Sequence, residues 1–396
     1  MPTASDYNYT AFGLQRVAEP YLLADLINKY GVDTNYWGTQ VTGTGVVAAV
    51  PLMSAVSVKA GAGVGTALMR THEYWRYQAG KGPRWLMTGM STDYGNEKNI
   101  RAWGQFDAND GIFFQHSRPH RGNYLDIVIR SSSGYGSKTI AQRDWNVHNH
   151  PELNPTTNNI YECTYQYLGA GSVWFWINGM LVHEEKHAGL LPAPYMRTAQ
   201  LPLSVQITDT GGAPSLAGWI SVCSTINVEG GSAPAEWGYS YSRPGAPFAL
   251  ATTETPLISL RPLSTINSIE NRTLLLPKFV SISASNFGGA AQNATFKVYL
   301  NSTLTGATDW QPRGQGSNAE RDIGTLAAGF AAGTQIATKV LEAGGTFDIS
   351  LSQFNVHGRK LMRRDLATVT LDLITVTCQL NAGTGSGSCT IDWTET

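Results

Sequence analysis

His183, Glu184 and His187 fall in the run His-Glu-Glu-Lys-His and so satisfy H-E-x-x-H. On a helix that spacing puts both imidazoles on one face, where they hold zinc while the glutamate acts as base. The residues in front of the run argue against a helix. VWFWINGMLV, from Val173 to Val182, is two apolar β-favouring stretches around Asn178-Gly179, the strongest short-range signal for a hairpin. If the second strand continues, residues four apart share a face but lie about 13 Å apart at roughly 3.3 Å per residue. One zinc, bound at about 2.0–2.1 Å from each nitrogen, does not reach both. A polar strand end is expected, with a zinc metallo-hydrolase using this run as a remote alternative.

Three other clusters invite chemistry. His148, His150 and Glu152 resemble metal ligands, but Pro151 and Pro155 mark a loop, and solvated polar groups are the plainer reading. Asp107, Asn109 and Asp110 before Gly111 could offer oxygens to calcium. The run is too short for an EF-hand loop, and the same residue types build tight turns. They stand as weak metal candidates only. Gly61, Gly63 and Gly65 lack the lysine and spacing of a phosphate loop. No Ser-His-Asp order or carboxylate pair can be assigned, so the expectation is a chain without catalytic residues, cofactor or enzymatic activity. Tryptophans remain: most should serve the core and subunit contacts, with Trp85, Trp103 and Trp145 the candidates for stacking on a sugar.

The elements that position these residues read as strands. Charged residues are 14% of 396, well under the roughly 25% of ordinary soluble domains, and 42 glycines punctuate many short segments. Strand-like runs recur every 8 to 12 residues or so, the spacing of a sandwich or barrel. The fold class expected is all-β, two β-sandwich domains of concanavalin or jelly-roll type behind a short helical N-terminal arm. The arm is placed at residues 1–34, a lectin-like sandwich at 35–232, a Gly/Pro/Ser/Tyr-rich connector at 233–256, and a C-terminal sandwich at 257–396. In the arm, Leu22, Leu23, Leu26 and Ile27 cluster on one face of an expected helix that Gly31 ends, with Tyr7, Tyr9 and Phe12 ahead of it. Such a face suits contact with another chain. Cys378 and Cys389 flank what reads as a terminal hairpin that could hold them opposite each other; four small buried thiols are the default.

The net charge of −1, from 28 basic and 29 acidic residues, gives no footprint for nucleic acid. No stretch approaches the roughly 18 apolar residues of a membrane span. The first residues lack a basic region followed by an apolar one, so synthesis in a cytosol is expected.

GKGPRWLMTG, RAWGQFDANDGIFFQ, FWINGMLVHEEKH, APYMRTAQLPLSVQI and STINVEGG follow one another in order. As a set, with PLISLRPL and the closing IDWTE, they resemble a family of tailed-bacteriophage virion structural proteins, over about 320 residues from near Thr66. The resemblance implies a head, neck, tail or fibre component whose first domain is similar to lectin or laminin-G sandwiches. Its partners would be other virion proteins, in a homo-oligomer for which a trimer is one option. It would be made in the host cytoplasm and sit in the virion. A glycan- or receptor-binding module of the particle, recognising a host-surface glycan, is the alternative.

Overall fold

The computed structural model describes residues 20–396 apart from 62, 118–123, 168–170, 188–193, 212–216, 231–236, 244–246, 291–292, 306–307, 315, 323–329, 352–359 and 367–368. The chain divides into two compact units, residues 1–233 and 234–396. Strands dominate both, and the described residues hold only short 3₁₀ turns as helix.

The first unit is a sandwich of two antiparallel sheets. One runs Met180–Lys186, Ser172–Ile177, Asn159–Tyr165, Pro83–Ser91, Gly218–Glu229, Ala55–Lys59 and Val46–Val50, with Pro20–Ile27 also on Gly218–Glu229. The other runs Lys138–Ala141, Leu125–Arg130, Gly111–His116, Asn99–Phe106, Leu203–Asp209, Gly65–Thr71 and Trp37–Gly43. Period-two alternation builds the core: along Pro83–Ser91 every second residue is buried. At its centre Trp103 stacks on Trp219 at 3.9 Å between ring centroids and meets Tyr161 edge-on at 4.8 Å. Gly89 makes room for this stack, because a Cβ there would lie 2.6 Å from the Trp219 ring.

The aromatic hairpin forms on Asn178 and Gly179, both at positive φ (51° and 75°), as the Asn-Gly signal requires. Val173, Phe175 and Ile177 are sealed on one face, while Trp176 is buried and Trp174 half-buried on the other.

The helical arm does not form where it is described. Pro20–Ile27 is a strand, antiparallel to Cys223–Glu229 with a bulge between Leu22 and Ala24. The apolar residues fit both periods, and the open edge of the long Gly218–Glu229 strand decides between them. Pairing there buries Ala24 and Leu26 and leaves Leu22 and Ile27 exposed, with Leu23 packed half-buried against the core. Asn28 locks the end, its side-chain amide donating to the Ser221 carbonyl and hydroxyl at 3.2 Å each. Tyr7, Tyr9 and Phe12 lie outside the described residues.

The second unit is also two-layered. One sheet runs Trp237–Ser242, Thr384–Glu395, Leu275–Gly288 and Thr346–Ser350, with Phe248–Leu250 also on Thr384–Glu395. The other runs Trp310–Pro312, Ala319–Asp322, Thr255–Pro262, Ile374–Leu380, Asn293–Leu300 and Thr334–Glu342. The segment expected as a connector therefore supplies strands. Trp237–Ser242 alternates so that Tyr239 and Tyr241 pack on the core, and Phe248 and Leu250 are buried in it. The terminal hairpin is also corrected: Ile374–Leu380 and Thr384–Glu395 belong to different sheets, so Cys378 and Cys389 are not cross-strand partners. All four cysteines are free thiols, and burial pushes the Cys378 thiol up to about 12, which keeps it protonated and inert.

Candidate functional site

His183, Glu184 and Glu185 lie on the Met180–Lys186 strand and His187 just beyond it. Consecutive residues point to opposite faces, so the run cannot surround one ion. Glu184 accepts from the Ser172 hydroxyl at 2.8 Å and the Trp174 indole at 3.0 Å. Glu185 binds the Lys138 ammonium through both oxygens at 2.7 Å. Lys138–Ala141 edges one sheet and Met180–Lys186 the other, so this ion pair closes one side of the sandwich. The Asn146 amide donates to His183 Nδ1 at 3.3 Å, which leaves the proton on Nε2, 3.6 Å from Glu185. His187 is stacked on Tyr195 at 4.2 Å. Burial alone would raise the Glu185 carboxyl, but the neighbouring His183 ring and the Lys138 hydrogen bonds outweigh it and hold the group below its usual value. Glu185 thus links the two sheets through Lys138, while Glu184 ties its strand to the neighbouring one in the same sheet.

The other candidates are structural as well. Asp107 caps its own turn, accepting from the Asn109 and Asp110 amides at 2.7 and 2.8 Å. Asp110 is sealed and accepts from the Ser132 amide and hydroxyl and the Arg197 amide, so its lone pairs pin two loops. His150 sits at φ 47°, with its Nδ1 3.2 Å from Glu152 and its amide donating to His148 Nδ1. The Gly63 amide donates to the Thr44 hydroxyl, which donates to the Ala60 carbonyl, so the glycine loop is tied to the turn at Thr44. Among the described residues, no group of three or more His, Cys, Asp or Glu could hold a metal ion. Ser91 and His116 form a pair at 2.6 Å that resembles nucleophile and base, but both are sealed in the core. Trp85 and Trp103 are fully buried and Trp145 nearly so; they build the core and offer no ring to a sugar.

The histidines make the first unit sensitive to pH. Burial lowers the pKa of both His150 and His187, against opposing pulls from Glu152 and Glu185 respectively. The unfolded chain, with histidine near pKa 6.5, then takes up protons before the folded one does. The stability that this difference contributes is fully present above about pH 6.5 and is lost as the pH falls through the lowered folded-state values. Urea midpoints of the first unit should fall between pH 7 and 5.5, above the range where the glutamates titrate, and the slope should flatten in a His150→Gln/His187→Gln double variant. An unchanged slope in that variant would contradict the assignment.

One face that the sequence did not single out has the features of a binding site. On the outer side of the second unit's five-stranded sheet, residue pairing aligns hydroxyls in rows across the strands. Ser242, Thr390, Ser281 and Asp348 form one row; Ser388, Ser283 and Thr346 form the next. The row before them holds Ser240, Asp392 and Phe279. Alternate residues Val280, Ile282, Cys389 and Ile391 face the core and fix this display. An open groove of about 390 Å³ lies here, lined by Ser281, Ser283, Ser388, Thr390, Thr346 and Asp348 together with Ile282 and Phe347. Ser283 and Ser388 share a hydrogen bond at 2.6 Å, and Ser242 and Thr390 one at 2.8 Å. A pair of hydroxyls sharing one bond keeps about one donor and three lone pairs for a ligand. Phe279 stands on the same face, 44% exposed.

No protein-family model and no curated protein matches the chain. Solved structures do. An endo-1,3-β-glucanase from Streptomyces sioyaensis is 8% identical with a TM-score of 0.42, over 54% of this chain and 97% of its own. The Emp47p carbohydrate recognition domain is 11% identical with a TM-score of 0.37, over 53% of this chain and 95% of its own. A β-1,3-glucanase from Mycobacterium marinum is 11% identical at 0.38, over 52% and 98%. The likeness is one of sandwich outline and carries no residue's role across. It does correct one expectation. The expectation of a chain without enzymatic activity, drawn from the lack of an assignable catalytic set, is withdrawn, since glucanases are among the structures matched.

Proposed function

We propose that this chain is a glycan-recognising component of a bacteriophage particle, present in several copies. The observation that carries glycan recognition is the hydroxyl-lined groove with Phe279 beside it. Rows of groups that both donate and accept match the hydroxyls of a sugar, and an exposed ring suits the apolar face of a pyranose. The particle is supported by the ordered sequence motifs and by the low charge, which suits a chain that buries surface against neighbours. Purified protein should bind host-surface polysaccharide saturably. Ser283→Val/Ser388→Val should weaken binding about tenfold, the equivalent of 1.4 kcal/mol, while leaving the fold intact. Peptide mass spectrometry of intact particles should find the chain at stoichiometric levels. Absence from particles removes the virion half of the proposal, and absence of saturable binding removes the glycan half.

A further inference from the structure

Resting on that reading, we infer that the groove selects uncharged glycans and that Asp348 is the residue that orients them. Among the described residues, the groove lining contains a single charged group, the Asp348 carboxylate. Asp348 is exposed on Thr346–Ser350, a strand with one neighbour in its sheet, and its carboxylate makes no hydrogen bond or ion pair with the described residues. A carboxylate has about four lone-pair sites and no donor, so it accepts from two adjacent sugar hydroxyls at once. The neighbouring Ser281 and Ser283 then supply the donors and acceptors for the ring beside it. A uronate or sulfate in the same place would meet a like charge and be rejected. Asp392, one row away, adds to that repulsion. Lys278, Arg313 and Lys339 are nearby cations, at the strand bulge before Phe279, at the Ser240 carbonyl and over the Phe347 ring at 3.9 Å, but none of them lines the groove. The apolar edge of the site is Phe279, which packs on a pyranose face without regard to charge.

The test is binding of the full chain to an array of uncharged, anionic (uronate and sulfated) and ammonium-bearing (chitosan) oligosaccharides at low salt. The expected result is binding of uncharged members, with the anionic ones at least about tenfold weaker. Asp348→Asn keeps the shape but gives up one acceptor oxygen and the charge. It should weaken the uncharged ligand about tenfold and narrow the gap to the anionic ones. Unchanged hydrogen exchange across residues 275–288 and 384–395 shows that the variant is folded; Asp348→Ser gives a second, smaller replacement. Equal binding of anionic and uncharged glycans overturns the inference while leaving glycan recognition standing. A preference for chitosan, or no effect of either Asp348 variant, does the same. Binding to no glycan overturns both readings.

Discussion

Trp103→Ala should destabilise the first unit by about 4 kcal/mol, as large aromatic truncations in sealed cores do. Trp103 touches Trp219, Tyr161 and Phe114, so the cavity opens among rings drawn from both sheets. Rigid strands on either side cannot close it, because each is held in register by neighbours on both edges. Urea denaturation followed by hydrogen exchange should show the loss over the first unit, with protection of residues 275–300 and 374–395 unchanged. A loss under about 1 kcal/mol would mean that the stack is loosely packed and that the core is centred elsewhere. Trp103→Phe should cost less, since it keeps part of the ring contact.

The sandwich character was legible because alternation is written locally. PRWLMTGMS and GWISVCSTINVE bury every second residue over much of their length wherever they pair, and Asn178-Gly179 needs no partner to define its turn. What was not legible depends on pairing between residues far apart in sequence. Leu22 and Leu26 suggest a helix until Cys223–Glu229, two hundred residues on, offers an edge that captures Ala24 and Leu26 instead. The Trp-Gly-Tyr-Ser-Tyr-Ser segment looks like a connector by composition, although its Tyr239–Tyr241 alternation was a strand signal in plain view.

The same reason hid the candidate site. Ser281, Ser283 and Ser285 alternate along one strand, and Ser386, Ser388 and Thr390 along another. Either set alone is an ordinary solvent face. They become a hydroxyl surface only because Leu275–Gly288 pairs with Thr384–Glu395, about a hundred residues away, in the register that sets Ser283 beside Ser388. Residue types that attract attention in a sequence, histidines and tryptophans, were by contrast spent on the core and on closing the sheets. His-Glu-Glu-Lys-His is legible as a strand end because the turn before it is local.

Asp93→Ala should cost the first unit about 3 kcal/mol, out of proportion to a residue whose own side chain is a third exposed. Its partner sets the cost. The Arg101 side chain is entirely buried and pairs with Asp93 at 2.5 Å, while its Nε donates to Asn99 at 2.8 Å and Asn99 in turn to Asp209 at 3.2 Å. Burial pulls the Arg101 pKa down and the Asp93 charge opposes it, yet a guanidinium does not give up its proton in this range. Deleting Asp93 therefore leaves a buried charge without its counter-ion, and water reaching through the gap left by Asp93 keeps the loss toward the lower end of the usual 3–5 kcal/mol. Replacing Arg101 as well, in Asp93→Ala/Arg101→Met, should recover much of the loss, because an apolar chain of similar length needs no partner. The cycle is measured by urea midpoints at pH 7. Additive losses in the double variant would mean that the two residues act separately and that the pair is not what holds this end of the sheet.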